Sequence, residues 1–306
     1  MSSIPIRFLM MIILCIGTIN LYSQRICLSI AVICMTNHSA VESNLTEPET
    51  VDNKSYGDCG VLSESKKQRM VDGPFTWDSQ TRAHVLGVFF WGYLFGQIPA
   101  GYITQKLGAR RANLAGLILL GLSAGFIPIA IIHSFYFIYA LRIIAGMASA
   151  LWFPGFYQIW ASWAPPEERG LLVGLSYAGV HVGNALTLPI AGALCQTKVG
   201  WSSIFYFYGA AGLAYALVWV LFVYNTPTEH PWISDGEKKY IVSKCGDSGI
   251  RRKRETRIPI LAMITSLPVW AFVAVTVGND WNSYTMMTSV PTYMKDVLMF
   301  DINEVS

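Results

Sequence analysis

Two arginines and one aspartate sit inside apolar stretches, where a charge is expensive, and chemistry is expected from them first. Arg25 follows Asn20, Ser23 and Gln24 within the first apolar run, and Arg142 lies in Leu141-Arg142-Ile143-Ile144-Ala145-Gly146-Met147-Ala148-Ser149. An arginine at the centre of a spanning helix costs about 2.5 to 3.5 kcal/mol on insertion scales. A carboxylate partner, a water-filled cavity or an anionic ligand has to offset that cost, a structural ion pair or a snorkelling side chain being the alternatives. A planar guanidinium matches a carboxylate or phosphate bidentately, and two cations facing one cavity favour a bound anion. Asp280, in Gly278-Asn279-Asp280-Trp281-Asn282-Ser283-Tyr284, is the one acid well inside an apolar run. It is either a proton- or sodium-coupling group or a counter-charge to Arg25 or Arg142. His181 is either a further coupling residue or a helix-packing hydrogen-bonding group.

The elements that must position these residues are membrane helices. The chain has 306 residues, 53% of them hydrophobic and 13% charged, against about 25% charged in a soluble domain. Apolar runs at 8–35, 83–104, 112–132, 135–161, 171–195, 202–224 and 263–294 are each near the length that crosses about 30 Å of hydrocarbon. The run after Arg7 lacks a small-residue cleavage site and resumes after Arg25, so it reads as a first span and not as a signal peptide. The six cysteines show no CxxC or Cys/His ligand spacing, so neither a zinc site nor a disulfide framework is expected. They read as small packing residues.

Sidedness follows from two signals. Sequons at Asn37, Asn44 and Asn53 place the 36–82 loop on a lumenal or extracellular face. Arg7, Lys106, Arg110, Arg111, Arg169 and the eight basic residues from Lys238 to Arg257 then all fall inside. The N-terminus is therefore expected in the cytoplasm, with glycan on Asn44 or Asn53. The expected domains are residues 1–224, carrying six spans, a basic cytoplasmic linker at 225–262 that touches solvent and anionic lipid, and residues 263–306, carrying the seventh span. A nucleic-acid role is not expected of a basic segment held between two spans.

Depth relates the two arginines. With a rise of about 1.5 Å per residue, Arg25 lies about 15 Å from the outer end of the first span, and Arg142 about 10 Å from the outer start of the fourth. The first and fourth spans are corresponding members of two three-helix units running in opposite directions, a 3+3 inverted repeat whose substrate sites lie at the repeat interface. Both guanidinium groups are expected to point inward onto one cavity. Gly92 with Gly96, and Gly179 with Gly183, are expected to let helices approach closely, with hinge use as the alternative. The turn Gly101-Tyr102-Ile103-Thr104-Gln105-Lys106-Leu107-Gly108-Ala109-Arg110-Arg111 is not a phosphate loop, since it lacks the GK[ST] ending and a preceding strand. No nucleophile, base and oxyanion constellation is visible, so an enzyme is not expected. No cofactor is expected beyond Na+ or H+ as coupling ion.

That turn resembles the major facilitator signature Gly-x-x-x-Asp-Arg-x-Gly-Arg-Arg, with Gln105 in place of the acid. More specific are Ser23-Gln24-Arg25-Ile26-Cys27-Leu28, Phe89-Phe90-Trp91-Gly92-Tyr93 with Gln97-Ile98-Pro99, and Trp163-Ala164-Pro165-Pro166-Glu167-Glu168-Arg169. Gly200-Trp201 with Phe205-Tyr206, His230-Pro231-Trp232-Ile233-Ser234 and Pro291-Thr292-Tyr293-Met294-Lys295 extend the likeness over nearly the whole chain. Together these strings resemble the organic and inorganic anion transporter family that includes sialin, the vesicular glutamate transporters and the sodium-phosphate cotransporters. The resemblance implies an all-α membrane protein, the major facilitator N-terminal six-helix half plus the first helix of the C-terminal half. It also implies ion-coupled secondary transport of a small organic or inorganic anion by alternating access, in the plasma membrane or a lysosomal or vesicular membrane. Arg25 and Arg142 match the family's two anion-binding arginines, and Tyr284 matches a substrate-contacting tyrosine. Three positions depart from the pattern: Ser149 stands where relatives carry a coupling glutamate, Leu86 where the glutamate transporters carry a histidine, and Asn279 where they carry a third arginine. Glutamate is accordingly disfavoured as substrate. Major facilitators have twelve spans, and this chain stops at Ser306, past the seventh. The alternative expectation is therefore a truncated, non-transporting membrane protein, a fragment or shortened isoform acting only by association.

Overall fold

The computed structural model of the chain describes residues 5–35, 75, 77, 79–245, 262 and 264–296, nearly all of them helical. Two compact units divide the chain at Ser248. In the first lie α1 (Ile6–Met35), α2 (Ser79–Leu107), α3 (Ala109–His133), α4 (Phe135–Ala150), α5 (Trp152–Trp163), α6 (Arg169–Tyr177), α7 (Gly179–Cys195) and α8 (Ser202–Phe222), then a short 3-10 turn at Pro227–Glu229 and α9 (Asp235–Cys245). The second holds α10 (Leu267–Asp296).

Five of these stretches are long and apolar enough to cross a membrane: Ile6–Val32, Ala109–His133, Tyr136–Trp163, Arg169–Cys195 and Ser202–Phe222. Helix α2 is long enough at 29 residues, but its Gln, Trp and Tyr side chains lower its hydropathy. Two of the five are each built from two helical pieces. Between α4 and α5, Pro154 has no N–H to give the Ala150 carbonyl, and the turn tightens there, the Leu151 N–H donating to Ala148 O at 3.3 Å. Between α6 and α7 the backbone at Ala178 stays helical, with φ −55° and ψ −23°, so the two pieces run on as one span.

Helix pairing in the first unit has a regular form. Helix α1 packs on α7 and α8, α2 on α4, and α3 on both α4 and α8. Exchanging each of the first three spans with its counterpart three spans later turns α1 on α7 into α4 on α2 and α3 on α4 into α8 on α1, and leaves α3 on α8 unchanged. Close approach depends on glycines at two crossings. A Cβ at Gly92 would collide with the Ile143 carbonyl, and one at Gly146 with the Phe89 carbonyl, so α2 and α4 meet backbone to backbone. Cβ atoms at Gly179 and Gly183 would press on the carbonyls of Cys15 and Ile19, at 2.5 and 2.8 Å.

Two apolar clusters fill the bundle. One, towards the N-terminal face that bears the start of α1, is rich in large rings: Trp152, Phe156, Trp160, Trp163 and Trp219. The other, towards the opposite face, gathers Leu28, Val32, Ile127, Ile138, Ile204 and Phe205. Between them α1 contributes buried Asn20, Ser23 and Gln24, α3 contributes Ser123, α4 contributes Arg142 and α7 contributes Thr187. A polar layer thus crosses the middle of the bundle.

Cys34, near the end of α1, is disulfide-bonded to Cys195 at the end of α7, with their Cα atoms 6.3 Å apart. This corrects the expectation that no disulfide is present. The two cysteines are 161 residues apart and lie in different apolar runs, so only the packing of α1 on α7 brings them together.

Candidate functional site

The site is built on the glycine crossing of α2 and α4. Gly146 lies one turn beyond Arg142 on α4, and Gly92 one turn beyond Phe89 on α2, so the backbone contact sets the Phe89 ring against the arginine. The Arg142 guanidinium carbon is 5.1 Å from the ring centroid. On α1, Arg25 reaches the same ring at 5.5 Å. Tyr22, Phe90 and Tyr93 surround Arg25 further, at 5.6, 4.8 and 5.4 Å. The two arginines expected to converge therefore share one aromatic ring.

Arg142 is 4% exposed. Among the described residues it forms no ion pair, and its Nε is buried without a hydrogen-bond partner. A ring engages a guanidinium through its flat face, which contributes about 0.5 to 2 kcal/mol and leaves the in-plane N–H donors for an acceptor. A carboxylate or phosphate supplies that acceptor with matching geometry. The arrangement is thus chemically suited to an anion. The crevice bounded by Leu21, Asn113, Leu120 and Trp152 is too narrow for a water molecule, and neither arginine lines it.

Other residues singled out by the sequence are placed differently. Ser149 is buried and donates to Ala145 O at 2.7 Å, so its hydroxyl is committed to its own helix. Leu86 packs against the apolar cluster of the opposite face. His181 is exposed on α7. Asp280 and Asn279 are exposed on α10, in the second unit, and Tyr284 belongs to the same helix. Asn37, Asn44 and Asn53 lie outside the described residues.

The turn between α2 and α3 is a structural pin. Gly108 makes it at φ 84°, a conformation that disfavours other residues. Arg110 then donates from its backbone to Asn225 Oδ1 at 2.9 Å and from its side chain to Val220 O, and lies 4.2 Å from the Tyr224 centroid. Trp219 Nε1 donates to Arg110 O at 2.9 Å.

A second cluster of charge lies on the N-terminal face, where the sequence reading placed a solvated linker. Helix α9 docks there with Ile241 fully buried. Glu237 accepts from the backbone N–H groups of Ile6 and Arg7, at 2.9 and 3.1 Å, and so caps α1. The Arg7 side chain bridges Glu168 at 2.8 Å and Glu237 at 3.8 Å. Lys244 pairs with Glu167 at 2.6 Å; that hydrogen bond holds Glu167 below the usual carboxylate range and Lys244 above the usual ammonium range. His230 is held in rings by Trp163, Tyr224 and Trp232, and burial pushes its pKa down.

Comparison with known proteins decides the family. Residues 13–305 match the profile of the Major Facilitator Superfamily. The chain belongs to that superfamily. Among curated relatives it is 34% identical to sialin of Ovis aries over 290 residues, covering 94% of this chain and 56% of that protein. It is also 34% identical to sialin of Homo sapiens over 300 residues, 97% of this chain and 58% of that protein. Vesicular glutamate transporter 2.2 of Danio rerio is 32% identical over 306 residues, 99% of this chain and 48% of that transporter. The chain therefore spans about half the length of these relatives. In this major facilitator chain the signature turn holds α2, α3 and α8 together, and the two arginines lie in the polar layer at mid-bundle.

Proposed function

We propose that the chain provides the six-helix N-terminal half and first C-terminal helix of a secondary transporter for small organic or inorganic anions, sialic acid-like carboxylates or phosphate. The observation that carries this reading is Arg142, a buried cation with no carboxylate among the described residues, set on the same ring as Arg25. The likeness to sialin and a vesicular glutamate transporter and the exchange-symmetric helix pairing support it. In this reading Arg25 and Arg142 bind the anion, with Tyr284 as a further contact, and Asp280 is the group through which Na+ or H+ couples. The reading of a non-transporting membrane protein gains no support from these relatives.

The orientation proposed has the N-terminal face in the cytoplasm and glycan on the 36–82 loop. A disulfide at the opposite face, between Cys34 and Cys195, supports an oxidising compartment on that side. The membrane is the plasma membrane or that of a lysosome or vesicle.

The test is uptake of labelled phosphate and of labelled sialic acid by proteoliposomes holding the purified product of the native transcript, with imposed Na+ or H+ gradients. Saturable uptake of at least one, lost in Arg142→Gln, is expected. Uptake of either that survives Arg142→Gln unchanged contradicts the assignment. Gradient-driven accumulation by Asp280→Asn equal to that of the parent protein removes Asp280 from coupling.

A further inference from the structure

The fold surrounds the two arginines differently. Arg25 lies against Tyr22, Phe89, Phe90 and Tyr93, whose ring centroids are 5.6, 5.5, 4.8 and 5.4 Å from its guanidinium carbon. Arg142 has Phe89 alone among the described residues, at 5.1 Å. It has no ion pair there, and its buried Nε has no hydrogen-bond partner. One ring, carried by α2, thus serves a cation on α1 and a cation on α4, and the α4 cation depends on it more.

The ring is firmly held. Phe89 is 1% exposed, and its carbonyl lies against Gly146 of α4. Phe90 meets the ring edge to face at 5.7 Å, and Tyr93 lies nearly parallel to it, at 6.4 Å and 11°. A ring held in this way presents electron-rich π density to a guanidinium through its face. An aliphatic side chain of similar size would fill the space without that density. A carboxylate at position 89 would do too much, because it would take the in-plane N–H donors that an arriving anion needs. The ring compensates part of the charge and leaves the donor edge of Arg142 open.

We propose that Phe89 is the positioning residue of the anion site: its π face compensates Arg142, and Arg25 beside it, while no anion is bound, and the anion takes over that role on arrival. This rests on the reading of the two arginines as an anion site. Once an anion pairs with a guanidinium, its opposite charge offsets the field that draws the ring, so the ring matters more to the empty protein than to the loaded one. Weakening the π face therefore destabilises the empty protein and tightens anion binding. A residue that only contacted the anion would bind it more weakly when altered, and one that only packed would be indifferent to the electronics of its ring.

Fluorination separates these cases, since each fluorine draws density from the ring face and adds little volume. Mono-, di- and trifluorinated phenylalanine are placed at position 89 of the full chain by stop-codon suppression, and at position 205 as a control. Phe205 is 0% exposed, meets Trp201 edge to face at 6.2 Å, and has no guanidinium over it among the described residues. Without anion, the melting temperature is expected to fall with each fluorine at 89, by about 3 °C or more at the trifluorinated ring, and to change little at 205. In Arg142→Leu the fall at 89 is expected to shrink by about half or more. Titration with inorganic phosphate and with sialic acid is expected to show the trifluorinated protein binding the parent's anion about threefold more tightly or more. A fall at 89 no steeper than at 205, an equal fall in the parent and Arg142→Leu, or anion binding that is unchanged or weaker overturns the proposal. If neither anion binds the parent, the transport reading fails while the anion-free melts still judge the ring; if Arg142→Leu does not fold, the comparison with Phe205 decides.

Discussion

Arg7 and Arg142 are both largely buried, and the chain treats them in opposite ways. Arg7 lies on the N-terminal face with Glu168 at 2.8 Å and Glu237 at 3.8 Å, and its guanidinium also lies over Phe8 and Tyr240. Arg142, in the middle of the bundle, has the Phe89 ring and, among the described residues, no carboxylate at all. Glu167, Glu168, Glu229, Asp235 and Glu237 all gather at the N-terminal face or in the segment leading to α9. Where a guanidinium serves architecture, the fold provides its counter-charge; where one is left without, the counter-charge must come from elsewhere.

Several changes would break or sharpen this contrast. The largest effect is expected from Gly146→Val, which drives a branched side chain into the Phe89 carbonyl and separates α2 from α4. Overpacking of this kind costs about 3 kcal/mol or less when neighbours yield, and a backbone contact cannot yield, so poor folding together with lost anion binding is expected. Thermal melting and ligand titration of the variant check both. Next comes Arg7→Leu, which strands Glu237 and Glu168. Destabilisation by about 2 to 3 kcal/mol is expected, read as a lower melting temperature, with anion affinity unchanged in the material that remains folded.

A smaller effect concerns pH. His230 is buried among Trp163, Tyr224 and Trp232, and burial lowers its pKa against the weaker pull of Glu237. A group whose folded pKa is depressed takes up its proton more readily when unfolded, so stability falls as pH drops below the ordinary value of 6.5. Protection of the 227–232 backbone from hydrogen exchange is expected to decline in that range, and His230→Phe to abolish the decline. The smallest effect is Lys244→Ala. Its pair with Glu167 is solvent-exposed, and no change in melting temperature is expected at physiological salt.

The sequence shows the charges more clearly than the contacts. Arg25 and Arg142 stand out because the cost of a charge in an apolar run is a local property, and their shared depth follows from helix rise alone. The spans follow from length and composition, although α2 is long without being strongly apolar. The disulfide is invisible, since Cys34 and Cys195 meet only once α1 lies on α7. Docking of α9 is equally hidden: its sequence is polar, and its attachment combines the buried Ile241, the packing of Tyr240 and Cys245 on the core, the Lys244–Glu167 pair and a carboxylate that reaches residues more than 200 positions away. Phe89 could be quoted as part of an aromatic string, but its position between two guanidinium groups requires the Gly92 and Gly146 crossing. Asn20 and Gln24 read only as polar residues in a helix, because nothing local says that the bundle leaves Asn20 Nδ2 and Gln24 Oε1 without partners.

The central claim is that Arg142 is kept without a carboxylate so that an anion can pair with it. The direct measurement is titration of the purified protein with phosphate and with sialic acid, alongside its melting temperature, in the parent, Arg142→Leu and Arg7→Leu. Removing one partner of a buried charged pair typically costs 2 kcal/mol or more, so Arg142→Leu is expected to lose about 30-fold or more in affinity for the bound anion. Its melting temperature without ligand should match or exceed that of the parent, because a buried charge has been removed. Arg7→Leu should show the reverse pattern. If Arg142→Leu binds the anion as the parent does, or melts several degrees lower while binding is intact, Arg142 is a structural charge and the contrast with Arg7 collapses.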